Sequence, residues 1–180
     1  MSVSMELLFG DAPTRALRDG DVVFRVGAPV ESVLFVRSGA VALVRHTQAG
    51  SRLVLHRARP GTIVAEASAW SETYHCDGVA LGDTALAALP RAAFRAALAR
   101  EPALLEAWAA DLARAVQAAR LRAEIRSLRT VPERLDAWLD AFGALPERGR
   151  RQEVAEEIGV TREALYRELA RRDADGRRAP

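Results

Sequence analysis

Apolar residues run in short alternating stretches through the first half of the chain and recur at helical spacing through the second. Residues 21–24, 32–37, 40–47 and 51–56 are rich in Val, Leu and Phe, and Gly27, Gly39 and Gly50 lie between or beside them. That pattern predicts short antiparallel strands. Gln48-Ala49-Gly50 reads as a hairpin loop, Pro60-Gly61 as a turn before residues 62–65, and residues 81–89, with a turn at Gly82-Asp83, as the closing strand. Strands at such regular spacing predict a sandwich or barrel. The lead-in, residues 1–19, carries a short helix around 14–18.

Pro90 lets a helix begin at Arg91, and Glu101-Pro102 breaks it. From 103 to about 129 there is neither Gly nor Pro, and Leu105, Ala109, Leu112, Val116, Ala119 and Ala123 recur at intervals of four and three. This is the seam of a parallel coiled coil with a second copy of the chain. A second stripe, Leu104, Trp108, Ala115, Ile125 and Leu128, is left to pack on the chain's own domains; the competing reading is one amphipathic helix buried within the chain. Residues 130–144 form a further helix, with Thr130 as N-cap, Pro132 in the first turn, Leu135, Trp138, Leu139 and Phe142 inward, and Gly143 and Pro146 at its end.

Residues 150–172 read as two short helices joined by a turn. Val154, Ala155 and Ile158 keep helical spacing, Gly159 can take the positive φ that stops the first helix, and Thr161 can cap the second. Val160, Leu165 and Leu169 then face inward, and Arg162, Glu163, Tyr166 and Arg167 face out. This is a helix-turn-helix. A guanidinium can bond guanine O6 and N7, and a carboxylate can accept from the cytosine amino group, so this outer face suits base reading in the major groove. Arg150, Arg151 and Gln152, opening the first helix, are placed for phosphates. The plainer alternative is a solvated helical hairpin laced with ion pairs.

The whole is an α+β chain: an antiparallel β-barrel over 1–101, a dimerisation helix over 102–129 and a DNA-binding region over 130–180. At 180 residues and 49% hydrophobic composition it can bury a core in each compact part. The net charge is only +2 and every basic side chain is arginine, so affinity for double-stranded DNA must come from local clustering. No run approaches the roughly 18 apolar residues a membrane helix needs, and the first residues lack a signal-peptide pattern, which predicts a cytoplasmic protein without a membrane partner. The single cysteine, Cys76, excludes an internal disulfide; it reads as a buried structural thiol ahead of a redox switch. His46, His56 and His75 have no metal-ligand spacing, so no metal or cofactor is expected. Ser68, Ser71, His75 and Asp77 share one segment without a nucleophile elbow, so the chain is not expected to be an enzyme.

TREALYRELAR following RQEVAEEIGV closely resembles the DNA-binding end of the cyclic-AMP receptor protein / fumarate and nitrate reductase regulator (Crp/Fnr) family of bacterial transcription factors. The resemblance gives Arg162, Glu163 and Arg167 base-contacting places and puts Arg151, Gln152 and Thr161 in the phosphate-contacting segment. Glu168 departs from it, standing where the family usually has an apolar residue. GDVVFRVGAPVESVLFVRSGAVALV resembles the opening of the family's cyclic-nucleotide-binding jelly roll, with Gly20, Gly27 and Gly39 at its recurrent turns.

In that fold, residues 61–76 would cradle the nucleotide, and Glu66 matches the ribose-bonding glutamate. The arginine–serine pair that holds the cyclic phosphate is absent: Tyr74-His75-Cys76-Asp77-Gly78-Val79 fills the region, and Asp77 would bring negative charge there. The resemblance thus implies a small-molecule effector other than cyclic AMP, with Glu66, His75, Cys76 and Asp77 as pocket candidates, or a pocket turned into core. One cysteine also rules out the four-cysteine iron–sulfur sensing of some members. The family further implies a homodimer on an inverted repeat, half-site centres roughly 34 Å apart, with RNA polymerase as a candidate further partner. A β-hairpin wing follows the recognition helix in the family; only the polar residues 173–180 follow here, so the wing is expected to be missing. The competing function is a ligand-binding or interaction module with a truncated DNA-binding region.

Overall fold

The computed structural model describes residues 5–48 and 52–176, so most of the expected hairpin loop, residue 51 and the last four residues lie outside the described residues. The chain forms two compact units, Met1–Arg114 and Ala115–Pro180. The division falls inside the long helix.

The first unit opens with a short helix, α1 (Met5–Leu8), followed by six strands: β1 (Thr14–Leu17), β2 (Val22–Phe24), β3 (Ser32–His46), β4 (Arg52–Ala58), β5 (Ile63–Val64) and β6 (Asp77–Pro90). All pair antiparallel in one sheet of order β1-β6-β3-β4, with β2 also on β6 and β5 also on β3. A 3-10 turn, Glu66–Trp70, precedes β6.

Three sequence expectations change. Residues 14–17 are a strand and not a helix: Thr14 to Leu17 pair with Ala87 to Thr84 of β6. β6 runs alongside and offers these residues an antiparallel ladder, which outweighs their local helical tendency. The expected strands 32–37 and 40–47 are one strand of 15 residues, paired with β6 from Ser32↔Pro90 to Val44↔Asp77. Gly39 marks a bulge inside it: φ is 73°, and a side chain there would run into the Thr84 hydroxyl and the Asp83 carbonyl. Gly82-Asp83 likewise lies within β6, held where the Asp19 carboxylate accepts from the Gly82 amide at 2.7 Å.

Strand alternation splits the first unit's core in two. Val36, Val41 and Leu43 of β3 face a cluster with Phe24, Val64, Tyr74, Cys76 and Leu86. Val33 and Phe35 face the other way, onto Phe9 and the helices α2 (Arg91–Arg100) and α3 (Pro102–Ser127), which contribute Phe94, Leu98, Leu104 and Trp108.

The second unit contains the end of α3, then α4 (Val131–Phe142), a 3-10 turn Arg148–Arg150, α5 (Arg151–Glu157) and α6 (Arg162–Ala174). Thr130 and Glu133 close a reciprocal capping box at the start of α4, Pro132 sits in its first turn and Gly143 ends it. Ile125, Leu135, Trp138, Val154, Ala155, Ile158, Leu165 and Leu169 form the core. The Trp138 indole donates to Glu157 at 2.7 Å, satisfying the one polar atom of that side chain.

Candidate nucleic-acid interface and sensor pocket

Gly159, at φ 70°, ends α5, and the Val160 amide turns back to the Ala155 carbonyl at 2.9 Å. The Thr161 hydroxyl accepts from the Ala164 amide at 3.2 Å, fixing the start of α6. Leu165 and Leu169 are buried, while Thr161, Arg162, Glu163 and Arg167 are exposed. Tyr166 is half-buried; its hydroxyl donates to the Arg148 carbonyl at 3.1 Å, and the Arg162 guanidinium lies 5.4 Å from its ring centre. Hydrogen bonds from its own backbone amide and from the Thr161 hydroxyl hold the Glu163 carboxyl below the usual carboxylate range. At the start of α5, Arg151 and Gln152 are half-buried. Gln152 donates to Glu156 at 3.2 Å, and the Arg151 Nε is buried without a hydrogen-bond partner.

Glu168 is 6% exposed, and Arg171 and Arg172 both donate to it. A carboxylate replaces an apolar residue here because two guanidinium groups come with it. Neither they nor Asp136, which pairs with Arg172 at 2.7 Å, stood out in the sequence.

Of the four pocket candidates, Cys76 lies within reach of the charges of Glu66 and Asp77. Glu66 opens the 3-10 turn after Ala65, whose φ of 50° is the one positive value at a non-glycine among the described residues. His75 is exposed, its Nε2 3.2 Å from the Ser71 hydroxyl. Asp77 accepts from the Val26 amide at 2.8 Å and lies 3.5 Å from His46 Nδ1. Cys76 is buried; burial pushes its thiol up, Arg45 pulls it down, and Asp77 and Glu66 add to the rise. Arg45 is remote in sequence, and its guanidinium donates to the His75 carbonyl at 3.0 Å.

A cleft of about 420 Å³ lies elsewhere in the unit, lined by Arg15, Phe24, Glu31, Leu34, Tyr74 and Leu86 among others, and by none of the four candidates. Tyr74 stacks on Phe24 with ring centres 3.7 Å apart, and burial, with Glu31 behind it, raises its phenol. A linear motif could not mark this cleft, because its walls come from residues 15 to 88. Among the described residues no group of three or more His, Cys, Asp or Glu is placed to hold a metal ion, and no helix is long and apolar enough to cross a membrane.

On α3, Leu105 and Val116 are 47% and 48% exposed, Ala109, Ala119 and Ala123 are exposed, and Leu112 is half-buried against the chain's own core. Leu104, Trp108 and Ile125 of the second stripe are buried.

Residues 14–101 match the family described as Cyclic nucleotide-binding domain. No curated protein matches the chain. Among solved structures, a catabolite activator protein from Thermus thermophilus is 27% identical, with 95% of this chain and 83% of that one covered at a TM-score of 0.55. Residues 14–101 thus carry a cyclic nucleotide-binding domain, and the chain is similar to Crp/Fnr-type transcription regulators. It shares its fold with FixK2 from Bradyrhizobium japonicum (20% identity, 92% and 86% covered, TM-score 0.75). It shares it also with CLP from Xanthomonas campestris, described as a c-di-GMP responsive global regulator (24% identity, 96% and 91% covered, TM-score 0.74).

Proposed function

We propose that the chain is a homodimeric, sequence-specific DNA-binding regulator, in which α5 and α6 are a helix-turn-helix and the strands close as an effector-sensing roll. The observation that carries this is the split on α6: Leu165 and Leu169 are buried, while Arg162, Glu163 and Arg167 stand exposed past a start capped by Thr161. These three read bases, Thr161 and Arg151 bond phosphates, and Gln152 joins them once released from Glu156. Arg162→Ala should cost about 1–3 kcal/mol of operator binding and relax preference at one base pair per half-site. Equal losses on operator and random DNA, measured by titration at fixed salt, would count against direct readout.

The exposed stripe Leu105, Ala109, Val116, Ala119 and Ala123 supports pairing of α3 with a second copy, Leu112 lying at the border between that seam and the chain's own core. Placing a charge at its middle, Val116→Asp, is expected to halve the mass seen by light scattering at micromolar concentration. A two-fold dimer reads an inverted repeat.

A cyclic nucleotide is not the effector we expect. Tyr74 is committed to its stack on Phe24, and Asp77 to the Val26 amide. Selection of bound sequences from a random duplex pool, with and without cyclic AMP, tests the reading. Enrichment of one inverted repeat under both conditions is expected; no enriched sequence in either would overturn it.

A further inference from the structure

We infer that Arg126 and Arg134 are positioning residues for the reading helix, a two-guanidinium clamp on the turn between α5 and α6 that sets the angle at which α6 meets DNA. The inference rests on the proposed role of α6 and concerns the second unit alone.

A helix leaves its last carbonyls without partners inside the helix, and α5 has only seven residues. Two arginines from outside the helix-turn-helix take those carbonyls. Arg126, in the last turn of α3, donates from Nη2 to the Glu156 carbonyl at 2.8 Å and from Nε to the Glu157 carbonyl at 3.0 Å. Arg134, in the first half of α4, donates from Nη1 to the Ile158 and Gly159 carbonyls at 3.3 and 3.1 Å. Four consecutive carbonyls, 156 to 159, are thereby held. Arg134 also ties the clamp back to α3 through its Nε and the Leu128 carbonyl, at 2.9 Å.

Fixed positive charge suits the negative end of α5, and the planar guanidinium can grip two carbonyls where an ammonium would hold one. Burial, ahead of the neighbouring Arg122 charge, lowers the Arg126 guanidinium from its usual range. The turn rests directly on the Arg126 stem: a Cβ on Gly159 would lie 3.2 Å from its Cγ and 3.5 Å from its Cδ. Gly159 therefore meets two demands, a positive φ and close approach of a neighbouring side chain.

The consequence is specific to base reading. Bidentate contacts to base edges need the helix in one orientation, whereas phosphate attraction is long-ranged and tolerant of tilt. Loosening the clamp should lower affinity for the selected operator and spare binding to random duplex.

The test uses the full chain and the inverted repeat enriched by selection. Arg126→Ala is expected to weaken operator binding about tenfold to a hundredfold, the range of one lost bidentate base contact, with random-duplex affinity and its salt slope unchanged. Arg126→Lys should recover part of the loss. Gly159→Ala, which pushes on the Arg126 stem, should reproduce the Arg126→Ala ratio of operator to random binding. Thermal melts identify any variant that does not fold, and if Arg126→Ala is one, Arg126→Lys decides. An unchanged operator-to-random ratio in the folded variants would overturn the clamp; failure of the unsubstituted chain to enrich any repeat would instead overturn the DNA-reading role beneath it.

Discussion

Glu168→Ala is expected to destabilise the second unit by about 3 kcal/mol, the lower end of the 3–5 kcal/mol typical when one member of a buried ion pair is removed. The Glu168 side chain is 5% exposed and that of Arg172 12%, and they meet at 2.8 Å. Truncation leaves Arg172 desolvated with Asp136 at 2.7 Å and the Pro132 carbonyl at 3.2 Å as its remaining partners, which keeps the loss from being larger. Arg171 also bonds Glu168 at 2.8 Å but is half exposed, so solvent screens its share. Replacing both ends, Glu168→Leu with Arg172→Met, should be close to neutral or stabilising, because an apolar pair of similar volume incurs no desolvation cost. Urea midpoints decide: a single variant as stable as the parent, or a double variant worse than the single, would sink this account.

The same network sets an acid limb. Hydrogen bonds from Arg171, ahead of those from Arg172, hold the Glu168 carboxyl below its ordinary range against the opposing effect of burial. A folded-state value below the unfolded one contributes stability that is present above the ordinary carboxylate range and lost as pH falls through the lowered value. Glu168→Ala should therefore flatten stability against pH on the acid side. Parallel acid limbs in parent and variant would mean that other carboxylates carry it.

Features written in a few adjacent residues were legible in the sequence. Thr161 and Thr130 cap the helices they precede, Gly159 takes positive φ, and Leu165 and Leu169 are buried as their spacing requires. What escaped depends on residues far apart. The strand at 14–17 exists because β6 lies beside it, and β3 runs on through Gly39 because Thr84 stands across from it. Glu168 reads as a departure in the sequence because Arg172, which pairs with it, is itself held by the distant Asp136. The pocket candidates lie within residues 66–77, whereas the cleft is assembled from residues 15 to 88 and shares only Tyr74 with that stretch. The Arg126 and Arg134 clamp acts on backbone carbonyls, which carry no side-chain signature to read.

Phe94→Ala should cost the first unit about 3–5 kcal/mol, the usual range for deleting a buried phenyl ring. Phe94 is fully buried, with ring centres of Phe9, Trp108 and Trp70 at 6.2, 5.2 and 6.3 Å. Through these contacts α2 and the first turns of α3 are fixed to Val33 and Phe35 on the sheet. A methyl group in place of the ring leaves a cavity that Trp108, stacked on Trp70 at 5.7 Å, cannot fill without breaking that stack. Trp70 is already 49% exposed and carries Arg95 at 5.6 Å, so it offers little apolar cover of its own. Two of the three tryptophans report on the site, while Trp138 lies in the second unit. Emission should shift to the red, and the first unit should unfold at lower urea. Phe94→Leu, which keeps most of the volume, should recover more than half of the loss. If Phe94→Ala left both emission and midpoint unchanged, the aromatic cluster would not be what fastens the start of α3 to the sheet.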